Sequence, residues 1–215
     1  STPGMIIVKN ADRSSNWATL HKDAGVMFLN ATSAAYNDGD TGTMFGNGSS
    51  RVNPTSTHFT VASSPNTNQN NETHVAYLFA HNDGDGEFGP NGNQDIINCG
   101  SYTGNGSSDG PEIDLGFEPQ WVMIKGATST SGWTIVDNMR GMTVDAALDP
   151  ILYANSSSSE DTSGRFTPKP DGFQVRSTSS YVNTSGQTYI YMAIRRGAKV
   201  PESATEVFAI DTLGG

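Results

Sequence analysis

The chain has 215 residues, 34% hydrophobic and 16% charged, with 24 glycines and a net charge of −10. That length can bury a real core. With only 12 Lys and Arg it repels a phosphate backbone on average, which argues against a nucleic-acid partner. No run approaches the ~20 consecutive apolar residues that a membrane helix needs, and no segment reads as a secretory signal. The opening Ser1-Thr2-Pro3-Gly4, without an initiator Met, reads as part of a longer protein.

Met5-Ile6-Ile7-Val8-Lys9 is a continuous apolar run, as expected of a strand buried on both faces. A second strand carries Trp17, and a polar excursion follows over residues 30–57. Phe59 and Val61 alternate in a short strand, and a Ser/Asn-rich turn leads to a longer strand with Val75, Tyr77 and Phe79 on one face. Residues 81–119 link this half to the next and include a strand over 96–102. Cys99, the only cysteine, lies in that strand and cannot form an internal disulfide. It reads as a small packed residue.

The same order then recurs. Pro3, Lys9 and Trp17 match Pro119, Lys125 and Trp133, each 116 residues on. Phe59 and Val61 match Phe173 and Val175 at 114, and residues 73–79 match 188–194 at 115. The drift falls between strands, where insertions are tolerated. Trp133 and Ile135 share a face, as do Ile190, Met192 and Ile194, and the second polar excursion spans residues 155–171. The paired tryptophans read as core residues rather than sugar-stacking platforms. The expectation is an all-β chain of antiparallel sandwich type, built from two tandem copies of a module of about 115 residues. The first module spans residues 1–82 and lacks its opening strand. An Asp/Gly-rich loop spans 83–95, the second module 96–197, and a terminal linker or the start of a further module 198–215. Val207-Phe208-Ala209-Ile210 follows the second copy as Ile96-Ile97 follows the first. The best helical signal, residues 144–148, amounts to one turn at most.

Asp83, Asp85 and Glu87 stand at i, i+2 and i+4 between glycines, with Asn93 or Asp95 able to close the shell. This spacing suits a Ca²⁺ loop, because tight turns wrap several oxygens around a hard cation. Gln94 stands where an EF-hand needs its bidentate Glu, and a solvated turn fits the same residues. Glu112 and Asp114 are similar to the paired carboxylates of sandwich-fold glucanases, but Gly116 occupies the third acidic position. The four histidines show neither zinc spacing nor a Ser/His/Asp order. The chain therefore reads as non-enzymatic.

Several phrases resemble a repeat family of marine phage structural proteins, including tail-fibre-like and other virion proteins of cyanophages and related podoviruses. They are Met5-Ile6-Ile7-Val8-Lys9-Asn10, Val75-Ala76-Tyr77-Leu78-Phe79-Ala80, residues 100–106, Gly116-Phe117-Glu118-Pro119-Gln120-Trp121 and residues 189–196. The resemblance implies a jelly-roll or concanavalin A-like lectin sandwich on the virion surface, with other virion proteins and copies of itself as partners. Attachment to host-surface glycan would use the two excursions, and no catalytic residue set carries over. Capsid decoration or a filament role is the alternative, and a glycan-degrading enzyme the lesser one.

Overall fold

The computed structural model describes residues 1–36, 42–81, 94–144 and 149–196. The proposed loop residues Asp83, Asp85 and Glu87, most of the helical turn, and Val207-Phe208-Ala209-Ile210 lie outside them. The described chain is all-β, with no helix. Its strands are β1 (Pro3–Asn10), β2 (Ala18–His21), β3 (Gly25–Phe28), β4 (His74–Ala80), β5 (Ile97–Thr103), β6 (Glu112–Asp114), β7 (Pro119–Gly126), β8 (Trp133–Asp137), β9 (Leu152–Tyr153), β10 (Phe166–Lys169), β11 (Gly172–Val175) and β12 (Thr188–Arg195). They form three antiparallel sheets in the orders β3-β2-β1-β4, β5-β12-β7-β8-β9 and β10-β11-β6.

The five-stranded sheet lies at the centre because its strands are apolar on both faces. Val122, Ile124, Val136, Tyr189, Tyr191 and Ala193 pack against Ile113, Phe166, Phe173 and Val175 of the three-stranded sheet. The opposite face, with Cys99, Met123, Trp133, Ile190 and Met192, packs against Met5, Ile7 and Met27 of the four-stranded sheet. The outer face of that sheet, including Ile6, Val8, Leu20 and Val26, is covered by Met44 and Phe45, with Phe59 and Val61 beside them. Each such aliphatic or aromatic side chain, fully buried, contributes about 1.5–3 kcal/mol.

Polar contacts tie the two larger sheets together. The Trp133 indole N–H donates to the Phe28 carbonyl at 3.0 Å, and His21 Nε2 donates to the Tyr191 carbonyl at 3.1 Å. The Ala35 and Ser131 amides donate to the carbonyls of Ala127 and Thr32 at 2.8 and 2.9 Å. Lys125, fully buried, spends its ammonium on the carbonyls of Thr32 and Gly126 and on Ser131 Oγ. Burial lowers its pKa to about 8. Gly4 lets β1 approach β5 closely: a Cβ there would stand 2.7 Å from the Cβ of Cys99, and 2.5 Å from that of His81 at the end of β4.

Strand order and register coincide between the halves. The order β3-β2-β1-β4 matches β9-β8-β7-β12. Ile6 pairs with Leu20 and Leu78; Val122, 116 residues on, pairs with Val136 and Ala193. Both ladders shift register at the same place, between Pro3 and Met5 and between Ile194 and Arg195. The halves differ at their margins. Phe59 and Val61 are not in a regular strand, yet both still lie against the core as Phe173 and Val175 do. The excursion over 155–171 contains β10, whose Pro168 obscures the strand in sequence and is tolerated because β10 is an edge. Among the described residues β5 has no counterpart beside β4.

Candidate functional site

The second excursion closes on the sheet through a compact polar and aromatic cluster. Tyr153 ends β9, opposite Thr134 of β8. Asp161 is held over Ile151 by two backbone hydrogen bonds of 2.6 and 2.9 Å. Arg165 precedes β10, and Tyr181 sits in the turn that Val182 and Asn183 close by donating to the Ser179 carbonyl. The turn is polar and short, so its aromatic ring has nowhere to go but sideways onto its neighbours.

The two tyrosine rings lie 5.3 Å apart at 46°. The Arg165 guanidinium stands 5.1 Å from the Tyr181 ring centre and 6.0 Å from that of Tyr153, within cation–π range. Gly132 makes this closure possible: a Cβ there would come within 3.0–3.2 Å of Tyr181, Asn155 and Tyr153. Arg165 Nη2 donates to the Tyr153 hydroxyl at 2.8 Å and to Asp161 Oδ2 at 3.2 Å, and Nη1 donates to Ser179 Oγ. The Tyr153 hydroxyl donates to Asp161 Oδ2 at 2.8 Å.

Electrostatics follow from these contacts. Burial, then the hydrogen bond to Asp161, pushes Tyr153 up to about 12. Burial opposes charge on Asp161, but hydrogen bonds from Ser163, Tyr153 and Arg165 outweigh it and hold the carboxyl below its ordinary value. Arg165 is only 6% exposed, and its Nε is buried with no hydrogen-bond partner. Tyr181 is 39% exposed. The arrangement thus offers solvent a fixed aromatic ring and, linked to it through the Arg165 guanidinium, an ionised carboxylate, groups suited to the apolar C–H face and hydroxyl rim of a sugar.

The residues singled out by sequence are arranged differently. Asp95 is described, but its three companion ligands are not. Among the described residues no three His, Cys, Asp or Glu side chains gather as a metal-binding group. Glu112 and Asp114 lie exposed on edge strand β6, where Glu112 is ion-paired with Lys169 and Asp114 accepts from the Gly116 amide at 2.8 Å. Cys99 is buried, and burial raises its thiol to about 12, far from a reactive thiolate. Trp133 is 1% exposed, while Trp17 is partly buried and stacks on Tyr77 at 6.5 Å.

Tyr153, Arg165 and Tyr181 are joined by no sequence motif. Their only prior signal is that the first two lie in or beside the second excursion. Elsewhere a groove of about 460 Å³ runs between the residue 55–59 loop and Leu78 and Ala80 of β4.

A search of curated proteins and a search of solved structures each found no match. One family spans nearly the whole chain, covering both halves and the Tyr153–Arg165–Tyr181 cluster: residues 1–196 match the Domain of unknown function (DUF7483), and the chain belongs to that family.

Proposed function

We propose that this chain is a non-enzymatic structural segment of a virion appendage, such as a tail fibre, that contributes to attachment on host-surface glycan. The observation that carries this reading is the partly exposed Tyr181 ring, held against Arg165, which in turn bonds Asp161, at the rim of the second excursion. Net charge of −10 disfavours nucleic acid and an anionic membrane surface as partners. A single ring and carboxylate bind a sugar weakly, so attachment depends on many copies acting together.

The shared strand order and register of the halves support two tandem copies of one sandwich module, in keeping with the resemblance to repeat virion proteins. Equivalent faces meet at the centre: Met5 and Ile7 of one half, Trp121 and Met123 of the other. The pair therefore works as one rigid unit, with its binding surfaces on the outside.

A glycan array probed with multivalent chain tests the reading. Binding to host-envelope sugars is expected, with Tyr181→Ala weakening it at least tenfold, about 1.4 kcal/mol. Binding that ignores Tyr181→Ala removes the cluster from the account. The same samples test the enzyme reading: reducing ends released by the wild-type chain but not by Glu112→Gln would replace attachment with hydrolysis. The open edge of β4 favours capsid decoration or a filament as the second reading. Copy number per particle separates them, hundreds for decoration and a few for a fibre.

A further inference from the structure

The four-stranded sheet ends on an edge made like an interior strand. β4 reads His-Val-Ala-Tyr-Leu-Phe-Ala, with no Lys, Arg, Asp or Glu to guard it. Val75, Tyr77 and Leu78 are 41%, 48% and 50% exposed. Their register equivalents in β12, namely Ile190, Met192 and Ala193, are 1%, 3% and 0% exposed. The difference is β5, which pairs with the free side of β12 through Ile194↔Ile97, Met192↔Cys99 and Tyr189↔Tyr102. Among the described residues nothing pairs with the corresponding side of β4.

Ladder alternation identifies the groups left open. Thr73 and His81 bond toward β1, so His74, Ala76, Leu78 and Ala80 turn their backbone N–H and C=O groups outward. The equivalent of Ala80 is Arg195, whose amide donates to the Ile96 carbonyl at 2.8 Å. Two further observations lie on the same flank. The groove of about 460 Å³ runs along Leu78 and Ala80. His74 keeps its Nε2 buried without a hydrogen-bond partner. Its equivalent, Tyr189, is covered by Tyr102 of β5, the rings stacked 5.3 Å apart at 15°.

We propose that the outer edge of β4 is a docking site for an antiparallel β-strand of the β5 type, supplied from outside the chain. The guest is extended, uncharged along the paired stretch, and carries an aromatic residue that stacks over His74, while its residue opposite Leu78, in the position of Asn98, borders the groove. Its register is that of β5 on β12, so the residue corresponding to Cys99 faces Tyr77. Backbone hydrogen bonds supply the affinity and the aromatic position supplies the selectivity. The inference rests on the shared register of the halves, not on glycan attachment, and stands if that attachment fails.

The test adds a peptide of residues 94–105, with Ser replacing Cys99, to the full chain, and follows hydrogen exchange amide by amide. The expected result is at least tenfold slower exchange at His74, Ala76, Leu78 and Ala80 when the peptide is saturating. Peptide Tyr102→Ala should lose most of that protection. So should the chain variant Leu78→Lys, an exposed position at which the fold is retained. Three results would each overturn the proposal. One is no protection by the peptide. Another is edge amides already fully protected in the free monomer, meaning that the chain covers its own edge. The third is a concentration-dependent dimer that protects β4 without peptide, meaning that the occupant is a second β4.

Discussion

Truncating Trp133 to Ala lowers the unfolding free energy by about 4 kcal/mol, the middle of the range for a buried aromatic. The indole is 1% exposed and lies between the two larger sheets, among Met5, Met27, Met123 and Ile190. Its removal opens a cavity that two hydrogen-bonded sheets cannot close by moving together. It also removes one of two donors to the Phe28 carbonyl, leaving the Ala31 amide at 3.1 Å. Trp17→Ala is the internal control, because Trp17 is only partly buried and keeps one flank on Tyr77. Urea unfolding followed by fluorescence and circular dichroism measures both. Equal small losses for the two variants would mean that the halves do not share a core at Trp133.

Acidification from pH 6.5 to 4 costs about 3 kcal/mol of stability through His21 alone, by proton linkage. Burial drives the imidazole from 6.5 to about 4, more than offsetting its hydrogen bond to the Tyr191 carbonyl and the nearby Asp23; Lys22 and His81 push the same way as burial. The geometry explains why the neutral ring is preferred. Nε2 donates to Tyr191, while Nδ1 accepts from the Asp23 amide at 3.2 Å. A second ring proton would meet that N–H head on. The folded pKa lies below the unfolded one, so the stabilisation is complete above pH 6.5. It is lost as the unfolded chain takes up a proton that the folded chain refuses, and the loss levels off near pH 4. Urea midpoints across this range, compared with His21→Gln, isolate the effect. Parallel profiles for the two proteins would show that His21 is not buried between the sheets.

Much of the fold was legible because period and repetition reinforce each other. The alternation in Val75, Tyr77 and Phe79 and in Ile190, Met192 and Ile194 correctly assigns each set to one face of its strand. What sequence did not convey is that these equivalent faces turn toward each other. A face buried against another sheet and one buried against a loop have the same periodicity. The tryptophans show the same limit: their spacing predicts equivalent positions, while their burial depends on neighbours. β10 was hidden by Pro168, and the Phe59–Val61 segment packs without forming ladder bonds.

The site was less legible still. Tyr153, Asp161, Arg165 and Tyr181 are brought together by the β9 pairing, the bridge at Ile151 and the turn after Ser179. None of these leaves a fixed spacing in sequence. The excursion over residues 155–171 pointed to the region, but not to Tyr181, which comes from the far side of β11.

A side-chain-resolution reconstruction of the chain in its native assembly tests the account most directly. It is predicted to show Tyr181 and Asp161, backed by the buried Arg165, open to solvent on a tail appendage, in position to meet a glycan. The contradicting result is that same cluster buried against a neighbouring subunit of a shell or filament, which would make its contacts structural and leave attachment without a surface.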